Sequence, residues 1–100
     1  MHTATYLPEA RDDVDAAYVH YESRQTALGD RFLDELKRVV RLIEGNPLLY
    51  GEVFNGVRAA MLRRFPFVIY YQERSGQLLI IAARHGRDNP AIWQLRIPSP

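Results

Sequence analysis

The spacing of the hydrophobic residues changes near Val57, and this change constrains the fold more than any other feature of the chain. Before Val57, apolar residues recur at the three- and four-residue spacing of amphipathic helices over two long stretches. After Val57, the spacing falls to the period of two that is typical of strands. The chain has 100 residues, of which 47% are hydrophobic. This length supplies one core, so we expect a single domain over residues 1–100.

Two helices are expected in the first half of the chain. Residues 3–7 are β-prone and predict a short first strand, and Pro8 then suits the first turn of a helix. The apolar face of this helix fades near Arg24. Thr26 is the expected N-cap of a second helix, which ends where glycine, asparagine and proline follow one another at residues 45–47. The short break between the helices predicts an antiparallel helical hairpin.

The second half of the chain predicts three strands. Residues 57–64 and 67–73 follow the period of two, and Ser75-Gly76 is typical of a hairpin turn. Residues 78–83 are apolar at every position, which indicates a central strand covered on both faces. The expected order of elements is therefore β-α-α-β-β-β.

The remaining segments connect or finish this pattern. We expect loops at residues 48–56 and 86–90, and a short tail at residues 91–97 that docks through Trp93. The helices have one sheet to cover. We therefore predict an α+β fold in which the helical hairpin packs on a mostly antiparallel sheet of about four strands.

Charge is divided unevenly between the two halves of the chain. Residues 57–96 contain seven arginines and no lysine against Glu73 and Asp88, a formal charge of +5. Residues 1–56 carry six basic and ten acidic side chains, a formal charge of −4. A cationic, aromatic sheet region beside an acidic helical region favours a surface that meets an anionic partner.

Several classes of protein are disfavoured by what the sequence lacks. The chain has no cysteine, so neither disulfides nor zinc–thiolate sites are expected. No stretch approaches the roughly 20 apolar residues of a membrane span, and the start of the chain lacks a secretory signal, so we expect a cytoplasmic protein with no membrane partner. No phosphate-binding glycine loop or metal-ligand pattern is present, so no cofactor is expected. Helical spacing splays Asp12, Asp13 and Asp15 around the axis, and we expect them to form a solvated first turn.

An ordered set of short motifs follows the helical hairpin. The motifs are Val57-Arg58, Leu62-x-x-Phe65-Pro66-Phe67, Tyr70-Tyr71 and Ala83-x-His85-x-x-Asp88-x-Pro90-x-x-Trp93. This set resembles the RelE/ParE superfamily of small toxins from type II toxin–antitoxin pairs, over almost the whole chain. The resemblance implies a hetero-oligomer with a cognate antitoxin, whose acidic C-terminal segment folds as it wraps around the toxin.

The superfamily contains two activities that the residues help to distinguish. RelE-like members cut messenger RNA on the ribosome, whereas ParE-like members poison DNA gyrase and are not known to cleave RNA. Cleavage through the 2′-hydroxyl needs a base, an acid and cations at the phosphate. The one lysine is Lys37 on the second helix, the last tyrosine is Tyr71, and the indole of Trp93 cannot transfer a proton. Arginine is too basic to exchange protons near neutral pH, which leaves the imidazole of His85.

The sequence resembles the ParE-like branch more closely, and the shortage of proton-transfer groups agrees with this. The resemblance implies that the protein inhibits DNA gyrase by binding and has no catalytic residue. One alternative is a ribosome-dependent RNase, and another is a non-toxic relative that only binds antitoxin. The residues that would serve the RNase are Arg58, Arg64, Arg84, His85 and Arg87. The residues expected to contact a partner are Arg58, Arg63, Arg64, Arg84, Arg87 and Trp93.

Each of these residues also has a purely structural interpretation. The arginines either form a binding patch or occupy a solvated sheet face, and Trp93 either stacks on a base or anchors the tail. Alternation along the expected strand places Arg58 and Arg64 on one face and Arg63 on the other, so one strand face cannot gather all three. The same alternation separates the arginine at position 84 from the histidine that follows it.

Overall fold

Five strands and three helices make up the part of the chain that the structure, a computed structural model, describes, which is residues 2–98. In chain order the elements are β1 (Ala4–Tyr6), α1 (Pro8–Arg24), α2 (Leu28–Gly45), β2 (Glu52–Phe54), β3 (Val57–Met61), β4 (Phe67–Arg74), β5 (Gln77–His85) and α3 (Ala91–Gln94). No helix within residues 2–98 is long and apolar enough to cross a membrane.

The five strands form one sheet in the order β1-β5-β4-β3-β2. β1 runs parallel to β5, and every other neighbouring pair is antiparallel. The helical hairpin of α1 and α2 packs on one face, which confirms the predicted α+β class and the mostly antiparallel sheet. The sheet gains its fifth strand from β2, inside the segment predicted to be a loop. All three residues of β2 are exposed, so no hydrophobic alternation marks them as a strand.

The core lies between α2 and the face of the sheet that the helical hairpin covers. Phe32, Val39 and Ile43 of α2 are fully buried there, together with Ile69 of β4 and Ile80 of β5. Their spacing on α2 matches the apolar stripe expected from the sequence. Burial of one such side chain stabilises the fold by about 1.5–3 kcal/mol, so this layer is the main source of stability.

The opposite face of the sheet is covered in part by the C-terminal segment. Ile81 and Ala82 of β5 are buried on this side, which confirms that β5 is covered on both faces. The tail forms the short helix α3, whose Trp93 is 4% exposed and stacks on Tyr70 with a ring centroid distance of 4.2 Å. The Asn89 side-chain oxygen accepts the N–H of Ala91 and helps to start this helix. Docking of the tail through Trp93 is thus confirmed.

The connection between α1 and α2 differs from the prediction, because Thr26 does not cap α2. The carboxylate of Glu22 accepts the N–H groups of Ala27 and Gly29, both at 3.0 Å, and so satisfies the open donors at the helix start. A Cβ on Gly29 would lie 2.8 Å from the ring of Tyr18, so only glycine allows the two helices to approach this closely.

The hairpin between β4 and β5 follows the prediction. Ser75 has φ 51° and Gly76 has φ 80°, two consecutive left-handed residues of the kind that a two-residue hairpin turn requires. The Glu73 carboxylate accepts the N–H of Gly76 at 3.0 Å and closes the turn. This turn fixes the register in which β5 lies beside β4.

Candidate partner-binding site

Arg63 and Arg64 lie in the turn between β3 and β4. Because β3 ends at Met61, the prediction that a strand separates these two arginines onto opposite faces is wrong. The N–H of Leu62 donates to the carbonyl of Phe67 at 3.0 Å and closes the turn. Both arginine side chains are exposed, so they project together from one end of the sheet.

A groove of about 510 Å³ separates this turn from α2, and we call it the α2 groove. Four arginines, two carboxylates and two apolar side chains line it. The residues from α2 are Leu28, Arg31, Asp34, Glu35 and Arg38. The residues from the turn are Arg63, Arg64 and Phe65.

Glu35 joins the two sides of the α2 groove. It accepts a hydrogen bond from Nε of Arg38 at 2.7 Å and another from Nη2 at 2.9 Å. Its Oε2 also accepts the backbone N–H of Arg63 across the groove. The hydrogen bonds from Arg38, more than any other contact, lower the pKa of the Glu35 carboxyl, although burial opposes them. The turn is therefore fixed to α2 by a charged group.

Asp13 is buried at the same end of the sheet, on the side away from the α2 groove. The prediction that it belongs to a solvated turn is therefore wrong. Its side chain is 4% exposed, whereas Asp12 and Asp15 are exposed as predicted. The Asp13 Oδ2 atom accepts the N–H of Ala83 at 3.1 Å. This part of β5 extends beyond its pairing with β1, so the carboxylate satisfies a backbone donor that the strand edge leaves open.

Two arginines from distant parts of the chain converge on Asp13. Arg96 donates from Nη1 to Oδ2 at 2.6 Å and from Nη2 to Oδ1 at 3.1 Å, a bidentate ion pair. Arg84 donates from Nη1 to Oδ1 at 3.1 Å and from Nε to Asp88 at 2.8 Å. Burial lowers the pKa of Arg84, but the two carboxylates outweigh it and leave the pKa raised. We call Asp13, Arg84, Asp88 and Arg96 the Asp13 cluster.

Neither the burial of Asp13 nor its ion pair with Arg96 was predicted from the sequence. Asp13 follows Ala10 by three positions and precedes Ala17 by four, and both alanines are buried. This spacing places Asp13 on the apolar face of α1, and it was the signal that could have revealed the burial. Arg96 carries no comparable signal, because it lies beyond α3 in a segment without periodicity.

His85 and Arg87 lie at the same end of the sheet as the turn between β3 and β4. The N–H of Gly86 donates to the carbonyl of Pro66 at 2.8 Å and joins the loop after β5 to that turn. Nδ1 of His85 accepts the N–H of Arg87 at 3.1 Å, so Nε2 carries the proton in the neutral ring. The side chain of Arg87 is exposed.

Arg58 lies away from this end, near the middle of the sheet's length. It faces Tyr71 across the β3–β4 pair, and its Nη1 donates to the carbonyl of Tyr50 at 2.6 Å. His85 of β5 faces Phe67 of β4, which lies four residues before Tyr71 on that strand. His85 is therefore offset from Arg58 by four residues along the strands and by two strands across the sheet. Strand geometry then separates the Cα atoms of Arg58 and His85 by roughly 16 Å. The candidate residues that the structure gathers at one end are Arg63, Arg64, Arg84, His85 and Arg87.

Comparisons with known proteins agree with this architecture. The family model described as the ParE toxin of the type II toxin–antitoxin system parDE matches residues 5–90. A solved structure described as the chromosomal ParDE toxin–antitoxin system from P. aeruginosa superposes with a TM-score of 0.62 at 20% sequence identity. The alignment covers 85% of this chain and 96% of that one, and at this identity it shows a shared fold. A search of curated proteins returned no match.

The family match extends from β1 to the loop after β5 and therefore includes the helical hairpin, the α2 groove and most of the Asp13 cluster. The chain belongs to the ParE toxin family of type II toxin–antitoxin systems.

Proposed function

We propose that this ParE-family toxin inhibits DNA gyrase by binding and that a cognate antitoxin with an acidic segment neutralises it. The proposal is carried by the state of Arg84, the arginine that precedes His85 at the end of β5. Its guanidinium is held by Asp13 and Asp88. An arginine already paired with two carboxylates adds little stabilisation to the negative charge of a phosphorane.

The distribution of the other arginines supports action by binding. Arg58 donates to a backbone carbonyl near the middle of the sheet's length, away from the end that carries His85. Arg63, Arg64 and Arg87 are exposed at the end of the sheet that carries His85, where they form a cationic surface. His85 itself lines a small groove of about 180 Å³ together with Asp13 and Arg84. A macromolecule could contact this surface along its length, as a gyrase-binding toxin requires.

The RNase is the second candidate function, and one observation favours it. His85 lies at the same end of the sheet as Arg64 and Arg87, and the carbonyl of Pro66 links the two loops that carry them. A ribosome could in principle complete such a site. The alternative of a non-toxic relative that only binds antitoxin needs no further residue.

Two assays with purified protein separate these functions. We expect the wild-type protein to inhibit gyrase supercoiling and to accumulate cleaved DNA, and we expect His85→Ala to act equally well. His2→Ala is the matched control, because His2 contacts the β4–β5 turn at the carbonyl of Gly76. Cleavage of messenger RNA on programmed ribosomes that His85→Ala abolishes would overturn the proposal in favour of the RNase.

A third outcome identifies the non-toxic relative. Inactivity in both assays, together with stable complex formation with the antitoxin, would show that the protein retains only its regulatory contact. Sedimentation analysis of the co-expressed pair measures that complex and its stoichiometry independently of any toxic activity.

A further inference from the structure

We infer that residues 91–98 form a strap that opens as one unit while the rest of the fold stays intact, and that the buried Asp13 carboxylate is its latch. The strap consists of α3 and the residues that follow it to Pro98. It lies on the face of the sheet opposite the helical hairpin. The inference concerns the conformation of this chain and does not rest on the proposed function.

The backbone hydrogen bonds of the strap are local. The N–H of Gln94 donates to the carbonyl of Pro90, and the N–H of Arg96 donates to the carbonyl of Trp93, both at 3.0 Å. Within residues 2–98, no backbone hydrogen bond joins the strap to a strand. β1, by contrast, is held to β5 by a parallel ladder. The strap can therefore leave the sheet without breaking any strand pairing, which is typical of a segment that opens before the rest of a protein unfolds.

Side chains fix the strap at two points. Trp93 stacks on Tyr70 with the ring centroids 4.2 Å apart. Three residues further on, both Nη atoms of Arg96 donate to the Asp13 carboxylate, and Nη1 also donates to the carbonyl of Ile81 at 3.3 Å. The closed position of the strap therefore depends on one stacked ring and one ion pair.

Asp13 can release Arg96 without becoming an unpaired buried charge. Its Oδ1 atom also accepts Nη1 of Arg84, and its Oδ2 atom also accepts the N–H of Ala83, both at 3.1 Å. When the strap opens, these two donors still compensate the carboxylate, and water hydrates the guanidinium of Arg96. The large penalty of an uncompensated buried charge is thus avoided. This second set of partners makes the ion pair with Arg96 a reversible latch.

The loop before the strap contains the hinge. Its first part is fixed, because the N–H of Gly86 donates to the carbonyl of Pro66 at 2.8 Å and Asp88 accepts Nε of Arg84 at 2.8 Å. Residues 89 and 90 follow these contacts, and both are exposed. Hinges consist of a few loop residues that absorb the change in backbone angles. We therefore place the bend at residues 89–90.

Opening uncovers an apolar strip of the sheet. The residues that pack with Trp93 on this face include Val57 of β3, Tyr70 of β4, and Ile81 and Ala82 of β5. Exposure of these side chains to water is unfavourable, so the strap is closed in most molecules at any moment. The closed protein thus hides an apolar surface, and the latch at Asp13 controls its exposure.

The one tryptophan of the sequence lies on the strap, so its fluorescence reports opening in the full, unlabelled chain. Acrylamide quenching of Trp93 and far-UV circular dichroism can be followed in the same urea titration. We expect quenching to increase at lower urea than the loss of the circular dichroism signal, because the strap leaves before the helices and the sheet unfold. Coincident transitions of the two signals in the wild-type protein would overturn the inference.

Arg96→Gln tests the latch, because it removes the ion pair with Asp13 and keeps Trp93. A one-turn helix does not persist away from the sheet, so opening exposes its amides to hydrogen exchange. Without urea, exchange of the Gln94 and Leu95 amides should become about tenfold faster, as expected for loss of a charged hydrogen bond. The amide of Val39, in the middle of α2, should exchange at an unchanged rate.

Two further variants separate the latch from a general effect of charge. Arg41→Gln removes the same charge at an exposed position on α2 and should change exchange of the strap amides less than about twofold. Adding Arg96→Gln to Asp13→Asn should accelerate exchange little beyond Asp13→Asn alone, because the ion pair is already absent. Equal acceleration by Arg41→Gln and Arg96→Gln, full additivity of the double variant, or equal acceleration at Val39 and in the strap would each contradict a local latch.

Discussion

At one end of the sheet, the arginines on the two sides differ in their contacts. In the Asp13 cluster, Arg84 and Arg96 terminate on carboxylates of the same chain, at distances of 2.6–3.1 Å. In the α2 groove, Arg63 and Arg64 terminate in solvent. A charge count along the sequence adds these residues together, although the first pair is held by carboxylates of the fold and the second pair is exposed.

Burial explains why the two groups are not interchangeable. Asp13 is nearly inaccessible, so its charge must be paired inside the protein, and removal of one partner leaves the others uncompensated. The exposed arginines of the α2 groove keep their charge in solvent. Their charge therefore contributes little to stability.

The largest expected effect is that of Asp13→Ala. This change leaves Arg84 and Arg96 without their shared carboxylate and the N–H of Ala83 without an acceptor, so we expect a loss of about 3–5 kcal/mol in the free energy of unfolding. Urea denaturation followed by circular dichroism measures it. Asp15→Ala on the exposed face of the same helix should change stability by less than about 0.5 kcal/mol.

Asp13→Asn tests the role of the charge more closely. Asparagine keeps an acceptor for the backbone of β5 and removes the ion pairs, so its cost should lie between those of the alanine variant and wild type. A loss below about 1 kcal/mol for Asp13→Ala would mean that the arginines rearrange and that the two regions differ less than their contacts indicate.

The next largest effect is expected for Trp93→Ala, on the side of the fold that the Asp13 cluster holds in place. The indole is buried, stacks on Tyr70 and meets the ring of Phe54 edge-on. Truncation of a buried aromatic side chain costs about 3–5 kcal/mol, and the helix that carries Trp93 is a single turn that can adjust, so we expect about 3 kcal/mol. Thermal unfolding of this variant and of Trp93→Phe measures the difference. A small loss would show that α3 contributes little to the fold.

The fold was predictable where one hydrophobic period dominates. The apolar stripe of α2 and the continuous run in β5 each indicate one kind of element, and both are confirmed. The exposed strand β2 and the one-turn helix α3 gave no periodic signal, because three or four residues are too few to show one. Their structure depends on contacts with β3 and Tyr70 that only the fold creates.

The candidate site was predictable in composition but not in arrangement. The sequence showed that residues 57–96 are rich in arginine, and it indicated Arg63, Arg64 and Arg87 as contact residues, which remains a prediction. It did not show that Arg31 would complete the α2 groove from a helix assigned to the acidic half of the chain. Nor did it show that Arg84 is already paired with Asp13, since 71 positions separate the two. Long-range contacts of this kind depend on the tertiary packing.

A smaller effect is expected for Glu35→Gln, which tests the link between the two sides of the α2 groove. The carboxylate accepts three hydrogen bonds and pairs with a partly exposed Arg38, so solvent screening limits the loss to about 1 kcal/mol at neutral pH.

The effect of Glu35→Gln should also depend on pH. The pKa of the Glu35 carboxyl is lowered on folding. Its contribution to the free energy of unfolding is therefore present above the ordinary pKa of 4.5 and disappears as the pH falls through the lowered pKa. The difference between wild type and Glu35→Gln should therefore shrink in acid, which urea titrations from neutral pH downward measure. A difference that grows in acid would contradict this.

The smallest change in stability, and the one of opposite sign, is expected for Arg64→Gly. Glycine relieves the left-handed backbone at φ 68° but gives the unfolded chain more freedom, so the free energy of unfolding should stay constant or rise by up to about 1 kcal/mol. Arg84→Gly, near the end of the paired strand β5 and inside the Asp13 cluster, should destabilise the protein clearly. Side-by-side urea curves compare the two. If both variants lost the same stability, the exposed arginine would be part of the framework. If Arg64→Gly is neutral or stabilising, the arginine side chain is not required by the fold of the isolated chain.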